Sequence, residues 1–219
     1  MTLSSPEQIP TTQPTAENPT GHWLLTEAPG NQGPSYSGTV DIQPFEGIYR
    51  LSWSGSMGNY SGLAFLEDNH LLGTWGSQIH RLILYKINPD GALNGRWVCP
   101  MWPDRINQET AVEGKPGWLE GHYQISGTYP GMEDLYEGEL DICMLGNTYQ
   151  LTWYGDGRNH GVGLKVNDWL VVARDVGSNF GVINYTFEGD TAKGWWALPG
   201  NPNAGTAMLT RTAAAPEHN

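Results

Sequence analysis

The chain has 219 residues with a formal net charge of −12, from 23 Asp and Glu against 11 Lys and Arg. No basic run interrupts that acidity, which excludes a phosphate-tracking nucleic-acid binder and argues against docking on anionic membrane surfaces. Only 38% of residues are hydrophobic, but 10 Trp and 10 Tyr supply large buried areas, and 29 Gly with 15 Pro suit short strands joined by tight turns.

Residues 1–20 are rich in Thr, Pro and Ser without apolar period, and read as a disordered leader or an arm docked on a neighbouring element. Neither a basic n-region nor an apolar h-region is visible, so a cytoplasmic location is expected. No stretch reaches the roughly 18 apolar residues of a membrane helix. Cys99 and Cys143 occupy non-equivalent places and read as reduced and packed.

From Gly21 onward the chain is duplicated at an offset of about one hundred residues. Gly21-His22-Trp23 returns as Gly121-His122-Tyr123, and Tyr36-x-Gly38-x-x-Asp41-Ile42 as Tyr136-x-Gly138-x-x-Asp141-Ile142. Tyr49-x-Leu51-x-Trp53 returns as Tyr149-x-Leu151-x-Trp153, Gly62-Leu63 as Gly163-Leu164, Tyr85 as Tyr185, and Gly95-x-Trp97 as Gly194-x-Trp196. The repeats span 21–118 and 119–212, followed by a flexible tail over 213–219.

Within each repeat the local period is two. Tyr49, Leu51 and Trp53 share one face and Arg50 and Ser52 the other, the pattern of a half-buried antiparallel strand. Asn88-Pro-Asp-Gly91 is a hairpin signal. About eight strands per repeat are predicted, near 22–27, 36–43, 48–54, 60–66, 70–75, 81–88, 92–98 and 108–112, and again one hundred later. No amphipathic helix is evident. Consecutive strands with short turns dispose of their edges by closing, and eight strands enclose side chains or one small ligand. The expected fold is all-β, with two tandem meander repeats forming small barrels. The alternative is one pseudo-two-fold barrel or sandwich with half contributed by each repeat.

Tyr36, Gly38, Ile42, Tyr49, Leu51, Trp53, Gly62, Leu63, Tyr85, Asp90, Gly91, Leu93, Gly95 and Trp97 together resemble a group of bacterial repeat proteins that carry a fibronectin-binding label. The resemblance implies a compact β fold and carries over no catalytic residue. The meander is also similar in architecture to calycin and avidin barrels.

Three sets of residues are candidates for chemistry. The aromatic ladder Tyr49, Trp53, Tyr85 and Trp97, with its echo Tyr149, Trp153, Tyr185 and Trp196, reads either as core or as the wall of a pocket for an apolar or sugar-like molecule. The segment Cys99–Glu109, longer than its counterpart, gathers Trp102, Asp104 and Arg105 in a loop that reads as an ion pair or a lid. Asp156 and His160 read as a polar turn, or as a general base with its orienting carboxylate. No metal, nucleotide or other cofactor motif is present. The leading expectation is a soluble binder of a small ligand in an aromatic-lined barrel. A cofactor-independent isomerase or cyclase is the second, using His160, Asp104 or Glu109 on an enclosed apolar substrate. A protein- or glycan-binding module is the third.

Overall fold

A computed structural model describes residues 18–27, 37–56, 58–129, 131, 135–155, 157–177 and 179–212. Among these there is no helix. Sixteen strands follow in chain order: β1 Gly21–Glu27, β2 Ser37–Phe45, β3 Ile48–Gly55, β4 Gly58–Glu67, β5 His70–Trp75, β6 Arg81–Ile87, β7 Leu93–Cys99, β8 Trp102–Val112, β9 Gly121–Thr128, β10 Leu135–Leu145, β11 Thr148–Gly155, β12 Gly157–Val166, β13 Trp169–Asp175, β14 Gly181–Glu188, β15 Thr191–Ala197 and β16 Gly205–Arg211. All pairings are antiparallel, and the strands form two closed eight-stranded barrels.

The barrels do not coincide with the repeats. One is continuous in the chain, β6 to β13; the other is split, closing β1–β5 with β14–β16. Each barrel therefore takes five strands from one repeat and three from the other. The expected division into separate barrels over 21–118 and 119–212 is corrected to this exchange. The joins that make it are β5 to β14, with Trp75 opposite Gly181, and β13 to β6, with Arg174 opposite Arg81.

Local sequence explains why the strands form, and the exchange explains why some depart from simple alternation. β3 and β11 bury alternate residues, as Leu51 with Trp53 and Leu151 with Trp153. β5, β6, β13 and β14 bury runs of at least four consecutive residues. Those runs have no solvent face, because one side lines a barrel and the other packs on the neighbouring barrel. Leu63, Phe65 and Leu72 of the split barrel meet Leu82, Leu84, Val162 and Val171 of the continuous one in a shared apolar layer. Each barrel has its own interior cluster besides, around Trp23, Leu51 and Phe187 in the split barrel and around Tyr123, Leu151 and Val172 in the continuous one. Arg96 on β7 pairs with Glu67 on β4 across the junction, its guanidinium 4.3 Å from the Phe65 ring centre.

The chain passes from the split barrel to the continuous one after β5 and back again after β13. Asp175 ties the two crossings together: it accepts from the Ser77 backbone N–H at 3.0 Å and the Ser77 hydroxyl at 3.1 Å, and from the Val176 N–H at 2.7 Å. Burial raises the Asp175 pKa, but these donors outweigh it and hold the carboxyl below its usual value. The His80 ring is buried here, its Nδ1 against the Ser77 carbonyl, and desolvation depresses its pKa.

Three finer expectations change. Residues 18–20 of the leader are docked: the Trp23 indole donates to the Pro19 carbonyl at 2.9 Å and Arg211 donates to the carbonyls of Thr20 and Asn18. Residues 1–17 and the tail 213–219 lie outside the described residues. Gly62 is matched by Gly161 rather than Gly163, since Leu51 faces Gly62 and Leu151 faces Gly161. Cys99 is buried and Cys143 exposed; both are free thiols.

Candidate functional site

The strand exchange re-sorts the aromatic ladder. Tyr49 and Trp53 share the split barrel with Tyr185 and Trp196, while Tyr85 and Trp97 share the continuous barrel with Tyr149 and Trp153. The Trp53 indole donates to the Tyr185 hydroxyl at 3.2 Å, a contact between repeats. Inward-facing glycines make room for these rings. A Cβ at Gly95 would fall 2.6 Å from the Tyr85 ring, and one at Gly194 at the same distance from Tyr185. Gly62 and Gly161 do likewise for Trp53 and Trp153.

In the split barrel the space beyond these rings is a cavity of about 550 Å³. Its walls include Trp53, Tyr60, Trp75, Tyr185 and Trp196, with Leu25, Ile183 and Ala207 between them and Asn179, Asn201 and Asn203 among the polar lining residues. The edge of Trp75 meets the Trp53 ring, with centres 6.3 Å apart. Tyr49 belongs to this barrel's core but does not line the cavity. The 198–204 turn lies at the cavity's margin and is pinned by Asn147 of the β10–β11 turn, whose N–H donates to the Pro202 carbonyl at 2.9 Å and whose side chain accepts from the Ala204 N–H at 2.7 Å.

The matching place in the continuous barrel holds charge instead. Glu109 is 1% exposed. The hydroxyls of Tyr85 and Tyr136 both donate to its carboxylate, and the Trp153 indole lies 3.4 Å from it. Burial first, then the adjacent carboxylate, raises both tyrosine pKa values, so the two phenols stay protonated donors. Arg174 lies 4.9 Å above the Trp153 ring centre and Arg81 4.4 Å above that of Trp97. Burial, and then the charge of Arg81, lower the pKa of Arg174.

The remaining candidates do not join these groups. Trp102, Asp104 and Arg105 lie not in a lid but on β8, which is separated from β7 by only two residues and lengthens the sheet as a hairpin. Asp104 and Arg105 are exposed, and Trp102 is 44% exposed. His160 is exposed too, on the same strand phase as Val162 and Leu164 of the inter-barrel layer and so outside the barrel, with Nδ1 3.5 Å from the Thr152 hydroxyl. Asp156 lies outside the described residues. Among the described residues no cluster of His, Cys, Asp and Glu has metal-binding geometry, and no helix is long and apolar enough to cross a membrane.

Sequence reasoning missed Trp75, Tyr60, Arg81, Arg174 and Tyr136 as site residues. The missed signal was phase: Arg81 shares the inward face of β6 with Ile83 and Tyr85, and Arg174 that of β13 with Leu170 and Val172.

Comparison of the chain with protein-family models, with curated proteins and with solved structures returned no match.

Proposed function

We propose that the protein binds a small, largely apolar molecule in the split barrel. The observation that carries this reading is the aromatic-walled cavity of about 550 Å³. Its volume falls within the roughly 300–1,000 Å³ of small-molecule sites, and apolar walls with a few polar groups are the usual recipe for them. Trp53, Trp75 and Trp196 offer flat faces to a ring or a chain, and the asparagines offer donors and acceptors for one polar end. The enzyme reading is less well supported, because His160, Asp104 and Glu109 do not share a centre and Glu109 is engaged by its own neighbours.

Nile red, a neutral apolar dye, is the direct test. Its fluorescence should rise on mixing with the protein, and Trp75→Ala should weaken that binding while leaving the fold intact. Native mass spectrometry of freshly isolated protein should in addition show a bound small molecule. Dye binding that ignores both Trp75→Ala and Trp196→Ala would sink the reading.

A further inference from the structure

The inter-barrel cleft of about 840 Å³ is larger than the split-barrel cavity, but its His70 is already engaged by Thr186 and Asn184. The interior of the continuous barrel differs in holding charge that is not balanced. Arg81 and Arg174 face each other directly on neighbouring strands. Like charges directly opposite one another destabilise a sheet. Among the described residues neither guanidinium has a carboxylate within ion-pairing distance. The nearby carboxylate, Glu109, is occupied by Tyr85 and Tyr136, and its one negative charge leaves the pair of cations with a surplus. Each guanidinium lies over a buried indole, Arg81 over Trp97 and Arg174 over Trp153. One of those indoles, Trp97, is itself buried with no acceptor for its N–H.

We infer that the continuous barrel is a second binding site, in which Arg81 and Arg174 hold the carboxylate of a small organic acid. A carboxylate is planar and carries two oxygens, matching the fixed fork of a guanidinium. Anion binding would also relieve the repulsion between the two cations. The site is independent of the split-barrel cavity, where Gly181 and Trp75 occupy the places of Arg81 and Arg174.

Calorimetric titration with benzoate tests this, with benzyl alcohol as the neutral analogue and inorganic phosphate as the rival oxyanion. Benzoate should bind and benzyl alcohol should not compete with it. Arg81→Gln and Arg174→Gln should each weaken benzoate at least about tenfold, the loss of one charge-assisted hydrogen bond or more. Arg174→Lys, which keeps charge but not the fork, should fall between, and Trp75→Ala should leave benzoate binding unchanged. If the glutamine variants fail to fold, the indole N–H signals of Trp97 and Trp153 in the wild-type NMR spectrum decide: benzoate should move both. No benzoate binding at millimolar concentration, equal affinity in folded wild type and glutamine variants, unmoved indole signals, or binding of phosphate alone would each overturn the inference. Because Nile red reports the other barrel, either site can fail without the other.

Discussion

The two barrels share a scaffold and differ in what they enclose. Both have a Tyr on the first strand of the exchanged trio, Tyr85 or Tyr185, lying across a glycine of the next strand, and both have a Trp on the third strand of the donated five, Trp53 or Trp153. Three of the inward positions that differ change the charge of the interior. Glu109, Arg174 and Arg81 in the continuous barrel correspond to Ala207, Trp75 and Gly181 in the split one. Where Trp153 reaches toward a carboxylate, Trp53 reaches a tyrosine hydroxyl. One set of aromatic rings thus serves both as an apolar wall and as the bed of a charged cluster, and a handful of side chains decides which.

That contrast can be broken most forcefully at Glu109. Glu109→Ala removes the acceptor of one buried and one half-buried phenol and leaves two arginines nearby without a counter-charge; a loss of roughly 3–5 kcal/mol is expected in urea denaturation. The corresponding change in the split barrel, Ala207→Gly, should cost no more than about 1 kcal/mol. Equal losses would mean that the charged cluster contributes nothing to stability.

Trp153→Ala removes a ring that is 2% exposed and should cost roughly 3–5 kcal/mol, whereas Trp53→Ala, whose ring borders a cavity, should sit at the low end of that range. Thermal and urea denaturation of the pair sharpen the distinction between the charged barrel and the apolar one. Gly95→Ala and Gly194→Ala probe what is shared. Each Cβ would collide with a tyrosine ring, and at Gly95 also with the Glu109 backbone carbonyl, so both should destabilise by about 1–3 kcal/mol, Gly95→Ala the more. A larger loss at Gly194 would show that Tyr85 has room to move where Tyr185 has none.

Asp175→Asn is the smallest of these changes, about 1–2 kcal/mol, because an amide oxygen still accepts some of the crossing's hydrogen bonds. Its signature is pH dependence. The folded pKa of Asp175 is depressed, so its stabilisation is complete above the unfolded value of about 3.9 and disappears as pH falls through the folded value. The gap between wild type and Asp175→Asn should accordingly narrow below about pH 4, followed by denaturation at stepped pH.

Much of this was legible in the chain. The period of two in Tyr49–Trp53 and the return of that motif at Tyr149–Trp153 announced strands, and the count of eight per repeat announced closure. The exchange was not legible, because local period states which face a residue takes and is silent on which strand lies alongside. The unbroken apolar runs at Leu82–Tyr85 and Leu170–Ala173 were its trace, since only strands covered on both faces tolerate them. Glu109 was visible as a candidate, but its partners Tyr85 and Tyr136 come from distant strands. Trp102, Asp104 and Arg105 misled because extra length reads as a loop in a linear alignment, while here it extends β8.

The exchange has a mechanical result. A protease nick between β8 and β9, at the boundary of the repeats, would leave two fragments each threaded through both barrels, five strands in one and three in the other. Such fragments cannot drift apart by undocking a surface; both barrels must be opened first. Covalent continuity at that boundary is therefore dispensable for holding the halves together, in the way that two interlocked hands stay joined without being tied.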